Sequence, residues 1–322
     1  VSLLVGCEPF EIVFTSGGTE ANNLAILGAL GNKPPGHVLV SALEHESGIG
    51  AAKHLADAGW SVDTVPCRTD GRIDPEQLAS MIREETRLAC VQLANPVLGT
   101  IQSVREITDL CHNRGVLVHC DATQAFGKIG VDASQLRADT IAISGHKFYG
   151  PKGSGALYIR RGHSLTPIAH GEPREMGLRP GAENIPAWIG LGAAAALAAR
   201  SPAVAKANLT ELRERLITGI LSTVSPTPKI LCQNAPRLPN TVALELPASA
   251  RQIQRVARQL AVASSQSSTP PDEMARVLRE IGCSDSQTWR TIRLSVGWTT
   301  TSDQIDRAVE LLADACDKCL CS

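Results

Sequence analysis

A lysine in the middle of the chain lies just after an apolar segment, within a glycine-rich stretch at residues 144–153 (SGHKFYGPKG). The preceding residues 140–143 (TIAI) predict a buried strand. An amine such as that of Lys147, when it is held in a pocket, can condense with an aldehyde to form a Schiff base. The hydroxyl of Ser144 and the imidazole of His146 suit a ligand anchored by a phosphate. A solvated surface lysine is the alternative, and the elements before it must decide.

A second candidate stretch joins a short predicted strand, residues 11–14, to a predicted helix that ends near residue 30. Its sequence is TSGGTE (residues 15–20), and glycines at such a turn let backbone amides approach an anion near the positive end of the helix dipole. The pattern is neither a P-loop nor G-x-G-x-x-G, so it implies no nucleotide. A plain turn is an equally good interpretation of this stretch alone.

Strands and helices alternate through the first half of the chain. The predicted strands are residues 37–40, 62–65, 88–93 and 116–120, and the predicted helices between them are residues 49–58, 74–85 and 104–113. This alternation predicts an α/β fold with a mainly parallel central sheet. Ligands bind such sheets at the carboxyl ends of the strands. We therefore expect one rim to bring together the polar residues that follow predicted strands: His45, Asn95, Asp121, Gln124 and Lys147.

The pattern changes beyond residue 161. Alanine-rich segments predict two long helices, and shorter helices and strands follow them. We predict a large α/β domain at residues 1–200 and a small C-terminal α+β domain at residues 201–322. Residues 264–271 (SSQSSTPP) predict a mobile loop in the second domain. Because the chain begins almost directly at a predicted core strand, we expect an N-terminal segment to be missing.

The composition is that of an ordinary globular protein, with 43% hydrophobic and 20% charged residues. A net charge of −1 gives no electrostatic case for binding nucleic acid or an anionic membrane. No apolar run reaches the length that spans a bilayer. The ten cysteines lack the spacing of a disulfide framework, so we expect free thiols in a reducing cytoplasm. Three of them close to the C-terminus could suggest a metal, but free thiols on a helix explain them better, and we expect no metal site: Cys316, Cys319 and Cys321.

The rim residues suit pyridoxal phosphate. Lys147 supplies the amine for the cofactor aldehyde. Asp121, at the end of an apolar strand, can hold the pyridine nitrogen protonated, although a strand-end aspartate is more often a turn residue. His45 can stack on the ring. The remaining candidates are donors for the phosphate and for the phenolate oxygen: Gly18, Thr19, Ser144 and His146 for the former, Gln124 and Asn95 for the latter.

Four motifs occur together in the chain: residues 15–23 (TSGGTEANN), 44–45 (EH), 119–124 (HCDATQ) and 144–153 (SGHKFYGPKG). Their combination resembles the cysteine desulfurases of the NifS/IscS type, which are fold-type I pyridoxal-phosphate enzymes of the class V aminotransferase group. The resemblance continues through residues 177–184 and 292–297, and so covers nearly the whole chain.

The resemblance implies an activity and a site. It implies that L-cysteine is converted to L-alanine while its sulfur passes through an enzyme persulfide to an acceptor protein. Lys147 would form the Schiff base, Asp121 would contact the pyridine nitrogen, and Asn95 and Arg293 would hold the substrate. The resemblance also implies a cytoplasmic homodimer. It does not name the acceptor, since the family serves iron–sulfur assembly, tRNA thiolation, DNA phosphorothioation and selenium release.

The chain departs from the family where the resemblance places the nucleophilic cysteine. The corresponding loop contains serines, with Ser267 or Ser268 opposite the cysteine, and Ser267 preferred by its spacing to the next helix. A serine hydroxyl cannot carry sulfur as a persulfide and is hardly ionised at neutral pH. Smaller departures are Val97, in an Asn-Asn-Glu segment of the family, and Ala182, in place of a threonine that a partner subunit offers to the phosphate.

Three functions therefore remain open. The first is a cysteine desulfurase whose nucleophile has been replaced, either naturally or by engineering. The second is a lyase or aminotransferase of the same fold that works through Lys147 and needs no cysteine. The third is a non-catalytic scaffold that keeps the fold in order to hold partner proteins.

Overall fold

The computed structural model describes residues 1–31, 33–200, 202–265 and 272–321. Its contacts divide the chain into two compact units. The first consists of Val1–Cys67, Ile73–Ala94 and Gln102–Pro202, and the second of Arg68–Arg72, Asn95–Ile101 and Ala203–Ser322. The sequence predicted a single division at residue 200. In the structure two short segments of the first half of the chain belong to the second unit.

Seven strands form the sheet of the first unit in its described residues: β1 (Ile12–Thr15), β2 (His37–Ser41), β3 (Ser61–Val65), β4 (Thr86–Gln92), β5 (Leu117–Asp121), β6 (Thr140–Ser144) and β7 (Gly155–Ile159). Their order across the sheet is β1-β7-β6-β5-β4-β2-β3. Strands β2 to β6 pair in parallel, whereas β7 is antiparallel to both of its neighbours. The predicted α/β fold with a mainly parallel sheet is confirmed.

The described residues of this unit also form seven α-helices: α1 (Ser2–Val5), α2 (Gly18–Leu30), α3 (Glu46–Asp57), α4 (Pro75–Ser80), α5 (Val104–His112), α6 (Ala133–Leu136) and α7 (Ile185–Arg200). Asp74 caps α4 as its sequence indicates, since its carboxylate accepts a hydrogen bond from the Glu76 amide at 3.0 Å. The helix predicted to end near residue 85 is shorter, because the Arg83 amide donates to the Thr86 hydroxyl at 2.7 Å instead of to a helical carbonyl.

Helix α2 is buried against the sheet almost throughout, with Leu24, Ile26 and Leu30 at most 1% exposed. Its first turn contacts β7 so closely that a Cβ atom at Gly155 would lie 2.6 Å from the Cα atom of Gly17. Only glycine fits there. The N-terminus of α2 is thereby fixed at one edge of the sheet.

Two aromatic rings attach the loop that carries Lys147 to the loop after β5. Residues Gly145–Phe148 form a short 3-10 helix directly after β6. The ring centroid of Phe148 lies 4.9 Å from that of Phe126, in an edge-to-face arrangement. Gly127 has a φ of +76°, and a Cβ atom on it would lie 2.6 Å from the Cβ of Phe148. The lysine loop therefore cannot shift without disturbing the loop after β5.

The second unit has an antiparallel sheet and five helices in its described residues: α8 (Pro202–Thr223), β8 (Lys229–Ile230), β9 (Thr241–Glu245), α9 (Ala250–Val256), β10 (Ala263–Ser264), α10 (Glu273–Glu280), α11 (Asp285–Arg290), β11 (Thr291–Ser295) and α12 (Ser302–Leu320). The strand order is β10-β11-β9-β8. Its core contains residues of α8, α9, α12 and the sheet, such as Ile220, Ile253 and Leu312. The predicted small α+β domain is present, although β8, β10 and α11 are too short to be recognised from periodicity.

Among the described residues, no single helix has the length and hydropathy needed to span a membrane. One bent pair of helices, Ile185–Arg200 and Ala203–Thr223, has them when the two are taken together, and this rests on length and composition alone.

The contact between Gly127 and Phe148 predicts a stability effect. Gly127→Ala should lower the free energy of unfolding by about 2–4 kcal/mol, because it combines a left-handed backbone with an overlap against Phe148. Gly130→Ala is the matched control, since a Cβ atom there would have no neighbour within 4 Å and its backbone is not left-handed. Its effect should stay within about 1 kcal/mol in urea unfolding. Equal losses in the two variants would contradict this packing.

Candidate active site

Three elements of the first unit meet where α2 begins. A Cβ atom at Gly18 would lie 2.7 Å from Cγ2 of Thr123 and 3.4 Å from Cβ of Ser144. Gly18 opens α2, Thr123 follows β5, and Ser144 ends β6. The free amides of the first helical turn and the hydroxyl of Ser144 therefore face a common space. Such a cradle suits a phosphate group.

His146 extends this cradle. Its Nδ1 lies 3.1 Å from Oγ of Ser144. Burial lowers the pKa of His146, and the nearby cations Lys147 and Lys152 lower it further. A neutral imidazole beside two lysines keeps one N–H for donation, while the lysines supply positive charge. The predicted phosphate residues Gly18, Ser144 and His146 thus lie together, and Thr19 is the second residue of α2.

Asp121 ends β5 and is 4% exposed. One carboxylate oxygen accepts a hydrogen bond from the Thr123 amide at 2.8 Å. The other accepts from the side-chain amide of Asn22 at 2.8 Å. Two donors on opposite oxygens fix the plane of the carboxylate. This arrangement suits a group that must present negative charge in one direction.

The Asn22 amide connects Asp121 to His45. Its second N–H donates to Oγ of Ser47 at 2.8 Å. Oγ of Ser47 lies 2.8 Å from Nδ1 of His45, which also accepts from the Ser47 amide at 3.1 Å. Because Nδ1 of His45 is an acceptor in both contacts, the proton of the neutral ring is on Nε2. The same contacts hold the His45 ring at the start of α3.

His119 of β5 is buried and is a further member of this hydrogen-bond network. Its Nε2 lies 3.0 Å from the side-chain oxygen of Asn22, and its Nδ1 lies 2.8 Å from Oγ1 of Thr140. Burial lowers the pKa of His119 to about 4, although the charge of Asp121 opposes this shift. The ring is therefore neutral at pH 7. Since Asn22 turns its amide nitrogen to Asp121, His119 must donate from Nε2 and accept from Thr140.

Gln124 follows Asp121 on the same loop and is half-buried. Its side-chain oxygen accepts a hydrogen bond from Nζ of Lys128 at 3.1 Å. The motif at residues 177–184 reaches the same region, because Arg179 forms an ion pair with Glu20 of α2 at 2.9 Å. This pair is partly buried and fixes the loop that carries Ala182 to the first turn of α2.

Two predicted substrate residues lie in the second unit. The side-chain oxygen of Asn95 accepts from the amides of Val97 and Leu98, each at 2.8 Å, and so organises its own turn. Arg293 donates from Nη1 to the Pro96 carbonyl at 3.1 Å, and its buried Nε has no hydrogen-bond partner among the described residues. Burial lowers the pKa of Arg293. A buried guanidinium N–H without a partner suits a carboxylate ligand.

Two described elements flank the segment that carries the serines. Before it, Ala263 and Ser264 of β10 pair with Arg293 and Ile292 of β11. Asp272 caps α10 at the other end, accepting from the Ala275 amide at 2.7 Å. The predicted nucleophile positions Ser267 and Ser268 lie outside the described residues.

Sequence reasoning missed Asn22, Ser47 and His119, although all three connect predicted site residues. The available signal for Asn22 was a polar side chain in a helix whose neighbouring positions, Ala21 and Leu24, are apolar and buried. His119 was quoted within a motif but given no role. His119 lies two residues before Asp121 and therefore on the same face of β5, and only the fold shows that Asn22 of α2 reaches both side chains.

The site in the first unit fits pyridoxal phosphate. Lys147 lies in the loop after β6, the fixed carboxylate of Asp121 ends the adjacent strand β5, and the cradle at α2 supplies phosphate donors. A Cβ atom at Gly18 would collide with Thr123, so this close approach of α2 to the loop after β5 requires glycine.

The fold and this site are those of the class of proteins that bind pyridoxal phosphate. Comparisons with known proteins agree. The aminotransferase class-V family model matches residues 1–308. The cysteine desulfurase IscS 1 of Archaeoglobus fulgidus is 38% identical, over 97% of this chain and 82% of that protein. The chain therefore belongs to the class V aminotransferases, and within them to the cysteine desulfurase family.

Solved structures support this assignment. A NifS-like protein superposes with a TM-score of 0.90 and 28% identity, over 98% of this chain and 85% of the other. The structure described as SspA in complex with cysteine gives a TM-score of 0.80 and 31% identity, over 92% and 84% of the two chains. The fold is thus that of the fold-type I pyridoxal-phosphate enzymes.

The Asn22 network predicts a stability effect with a neighbouring control. Asn22→Ala should lower the free energy of unfolding by about 2–4 kcal/mol, because buried groups of Asp121 and His119 lose their partner. Asn23→Ala removes only a hydrogen bond to the Thr19 carbonyl within the same helix, so its cost should stay within about 1 kcal/mol. Urea unfolding of the two variants measures the difference. Equal costs would contradict the network.

Proposed function

We propose that the protein is a pyridoxal-phosphate-dependent member of the cysteine desulfurase family in which serine replaces the nucleophilic cysteine. The observation that carries the proposal is the double anchoring of Asp121 by Thr123 and Asn22, on the strand adjacent to the Lys147 loop. When bound, pyridoxal phosphate draws electrons from the substrate and weakens the bonds at its α-carbon. The residues of this chain then decide which ligand is held and where protons go.

Each predicted cofactor residue has a role in this proposal. Lys147 would bind the cofactor aldehyde through its amine, and Asp121 would hold a proton at the pyridine nitrogen. His45 would stack on the ring and keeps an N–H at Nε2 for donation. Gln124 would serve the phenolate oxygen, and so would Asn95, which belongs to the second unit. The amides of Gly18 and Thr19, with Ser144 and His146, would bind the phosphate.

L-cysteine is the proposed substrate. The buried guanidinium of Arg293 is suited to bind its carboxylate by two parallel hydrogen bonds, and Asn95 lies on the turn whose Pro96 carbonyl Arg293 already contacts. Further support comes from a similar protein, since SspA was solved in complex with cysteine. In the full reaction of the family, L-cysteine and the thiol of the nucleophilic cysteine give L-alanine and a persulfide, which a sulfur-acceptor protein then consumes. Because the proposal has serine at that position, we expect this chain to bind L-cysteine without forming the persulfide.

Seven of the ten thiols in the chain are poor replacements for the missing nucleophile. All ten cysteines lie among the described residues and are outside disulfides. Burial raises the pKa of Cys7 to about 11 and the pKa values of Cys111 and Cys316 to about 12. It also raises the pKa of four further thiols, Cys90, Cys120, Cys283 and Cys319. These seven side chains are protonated at neutral pH and are poor nucleophiles.

The serine loop and the protonated thiols favour a second candidate function. A lyase or aminotransferase that works through Lys147 alone would need no thiolate. Its products from L-cysteine would be pyruvate with ammonia and sulfide, or a transaminated acid, rather than alanine with a persulfide. Product analysis therefore separates the two candidates.

A homodimer is part of the proposal. Helix α7 presents an apolar face to solvent, with Ile189 68% exposed and Ile185 and Leu197 more than half exposed. Exposed apolar residues spaced along one helix are typical of an interaction surface. The first turn of α7 directly follows the loop that carries Ala182, which the family resemblance assigns to the subunit boundary.

Lys147 should be the residue that retains the cofactor covalently. After incubation with pyridoxal phosphate and borohydride reduction, peptide mapping should find the cofactor on the peptide containing Lys147. Lys147→Ala should abolish this labelling, because Lys147 is the lysine that lies in the short helix directly after β6. Lys152→Ala, an exposed lysine five residues away, should retain it. Unchanged labelling in Lys147→Ala would contradict the assignment.

The serine loop should limit sulfur transfer. With L-cysteine and dithiothreitol, the parent chain should release sulfide at background level, because a hydroxyl is a poor nucleophile toward sulfur. Ser267→Cys, or Ser268→Cys, should raise release by at least roughly tenfold, while alanine at the same positions should not. Ready release of sulfide together with alanine by the parent would overturn the proposal that the loop carries the nucleophile, whereas sulfide together with pyruvate would favour the lyase.

The dimer should depend on α7. In sedimentation velocity at micromolar concentration the parent should sediment as a dimer, and Ile189→Glu should shift it to monomer by placing a charge in the apolar face. Leu320→Glu makes the same change at an exposed leucine of α12 and should leave the dimer intact. A monomeric parent would refute the proposed assembly.

A further inference from the structure

Helix α9 and the turn after it carry a basic face. Arg251, Gln254 and Arg255 are spaced so that they share one side of α9, and Arg258 follows in the turn after it. The opposite side packs into the core of the second unit through Ala250, Ile253 and Ala257. The four polar side chains line a cavity of about 360 Å³ together with Ser265. All five residues belong to the second unit.

The charge of this cavity is not neutralised by the chain. Residues 246–271 contain three arginines and no aspartate or glutamate. In the described part of the chain, no ion pair within 4.0 Å involves Arg251, Arg255 or Arg258. Three cations around one cavity repel each other, so a bound anion would stabilise the arrangement.

Two contacts hold the basic face in position. Nε of Arg258 donates to the Arg255 carbonyl at 3.3 Å, at the end of α9. The side-chain amide of Gln254 donates to the Val262 carbonyl at 3.1 Å. The second contact connects α9 to the segment that leads into β10, and therefore to Ser265.

Ser265 supplies an independent observation. It is 4% exposed, and its hydroxyl is buried without a hydrogen-bond partner among the described residues. A buried hydroxyl is normally paired, because an unpaired one has lost its hydration without compensation. Since Ser265 lines the cavity, an anion held there by the arginines would give the hydroxyl an acceptor.

We propose that this cavity binds a tetrahedral oxyanion of the phosphate type, either as inorganic phosphate or as the phosphate of a small phosphate monoester. Guanidinium groups match the oxygens of phosphate with paired hydrogen bonds, and three of them favour a dianion over a single carboxylate. The site is formed without Lys147, and the inference does not rest on the proposed function. Ser265 directly precedes the segment that carries Ser267 and Ser268, so an occupied site holds the residue from which that segment starts.

Isothermal titration tests the site. The protein is first loaded with pyridoxal phosphate and freed of excess by gel filtration, so that the cradle at α2 does not compete for the probe. Inorganic phosphate should then bind with one site per chain, and adenosine 5′-monophosphate tests the monoester source. Tighter binding of inorganic phosphate assigns the free ion, whereas tighter binding of the nucleotide assigns the monoester. Acetate at the same ionic strength should not bind, and binding of acetate as tight as that of phosphate would overturn the proposal.

Matched variants locate the binding. Arg251→Gln with Arg255→Gln should weaken phosphate binding by at least about tenfold, and Ser265→Ala by about three- to tenfold. Arg279→Gln with Arg307→Gln removes the same charge from exposed arginines elsewhere in the second unit and should leave binding within about twofold. Thermal unfolding without phosphate checks that each variant folds. Phosphate binding that persists in the Arg251/Arg255 variant, or no binding by the parent, would overturn the proposal.

Discussion

The hydrogen bond from Asn22 to Asp121 is the contact on which the candidate site depends. It joins the buried helix α2 to the end of β5, and the same side chain reaches Ser47 and His119. The side-chain amide of Asn22 has two N–H donors and one oxygen acceptor. Because one N–H donates to Asp121, the nitrogen and the oxygen of this amide are identified, and so are the donors in its contacts with Ser47 and His119. Asp121, His45 and His119 therefore have defined orientations before any ligand binds, which is the kind of preorganisation that catalysis requires.

Close backbone packing positions the phosphate cradle and the Lys147 loop. Gly17 lies against Gly155, and Gly18 lies against Thr123 and Ser144, so the amides of α2 and the end of β6 are fixed relative to each other. The Phe126–Phe148 contact then fixes the Lys147 loop to the loop after β5. The three candidate groups, phosphate cradle, carboxylate and lysine, are thus held by separate contacts to one sheet.

The α/β fold and most positions of the first-unit site could be predicted, because alternating apolar runs mark the strands and ligands collect at their carboxyl ends. Lys147 and Asp121 were predicted in this way. Asn22, Ser47 and His119 could not be, since their roles arise from contacts between residues 25 to 99 positions apart. The assignment of Asn95–Ile101 to the second unit was missed for the same reason. The predicted end of α4 was wrong, because the Arg83 amide, which periodicity placed in the helix, donates to the Thr86 hydroxyl instead.

Nitrogen NMR of the histidine rings tests the network most directly. In ¹⁵N-histidine-labelled protein, the network predicts that His119 is neutral with its proton on Nε2, and that it titrates only near pH 4, because burial lowers its pKa from the usual 6.5. Folded protein should therefore keep this signal unchanged from pH 8 down to about pH 5. A His119 that titrates near pH 6.5, or that carries its proton on Nδ1, would contradict the proton assignment and with it the fixed orientation of Asp121.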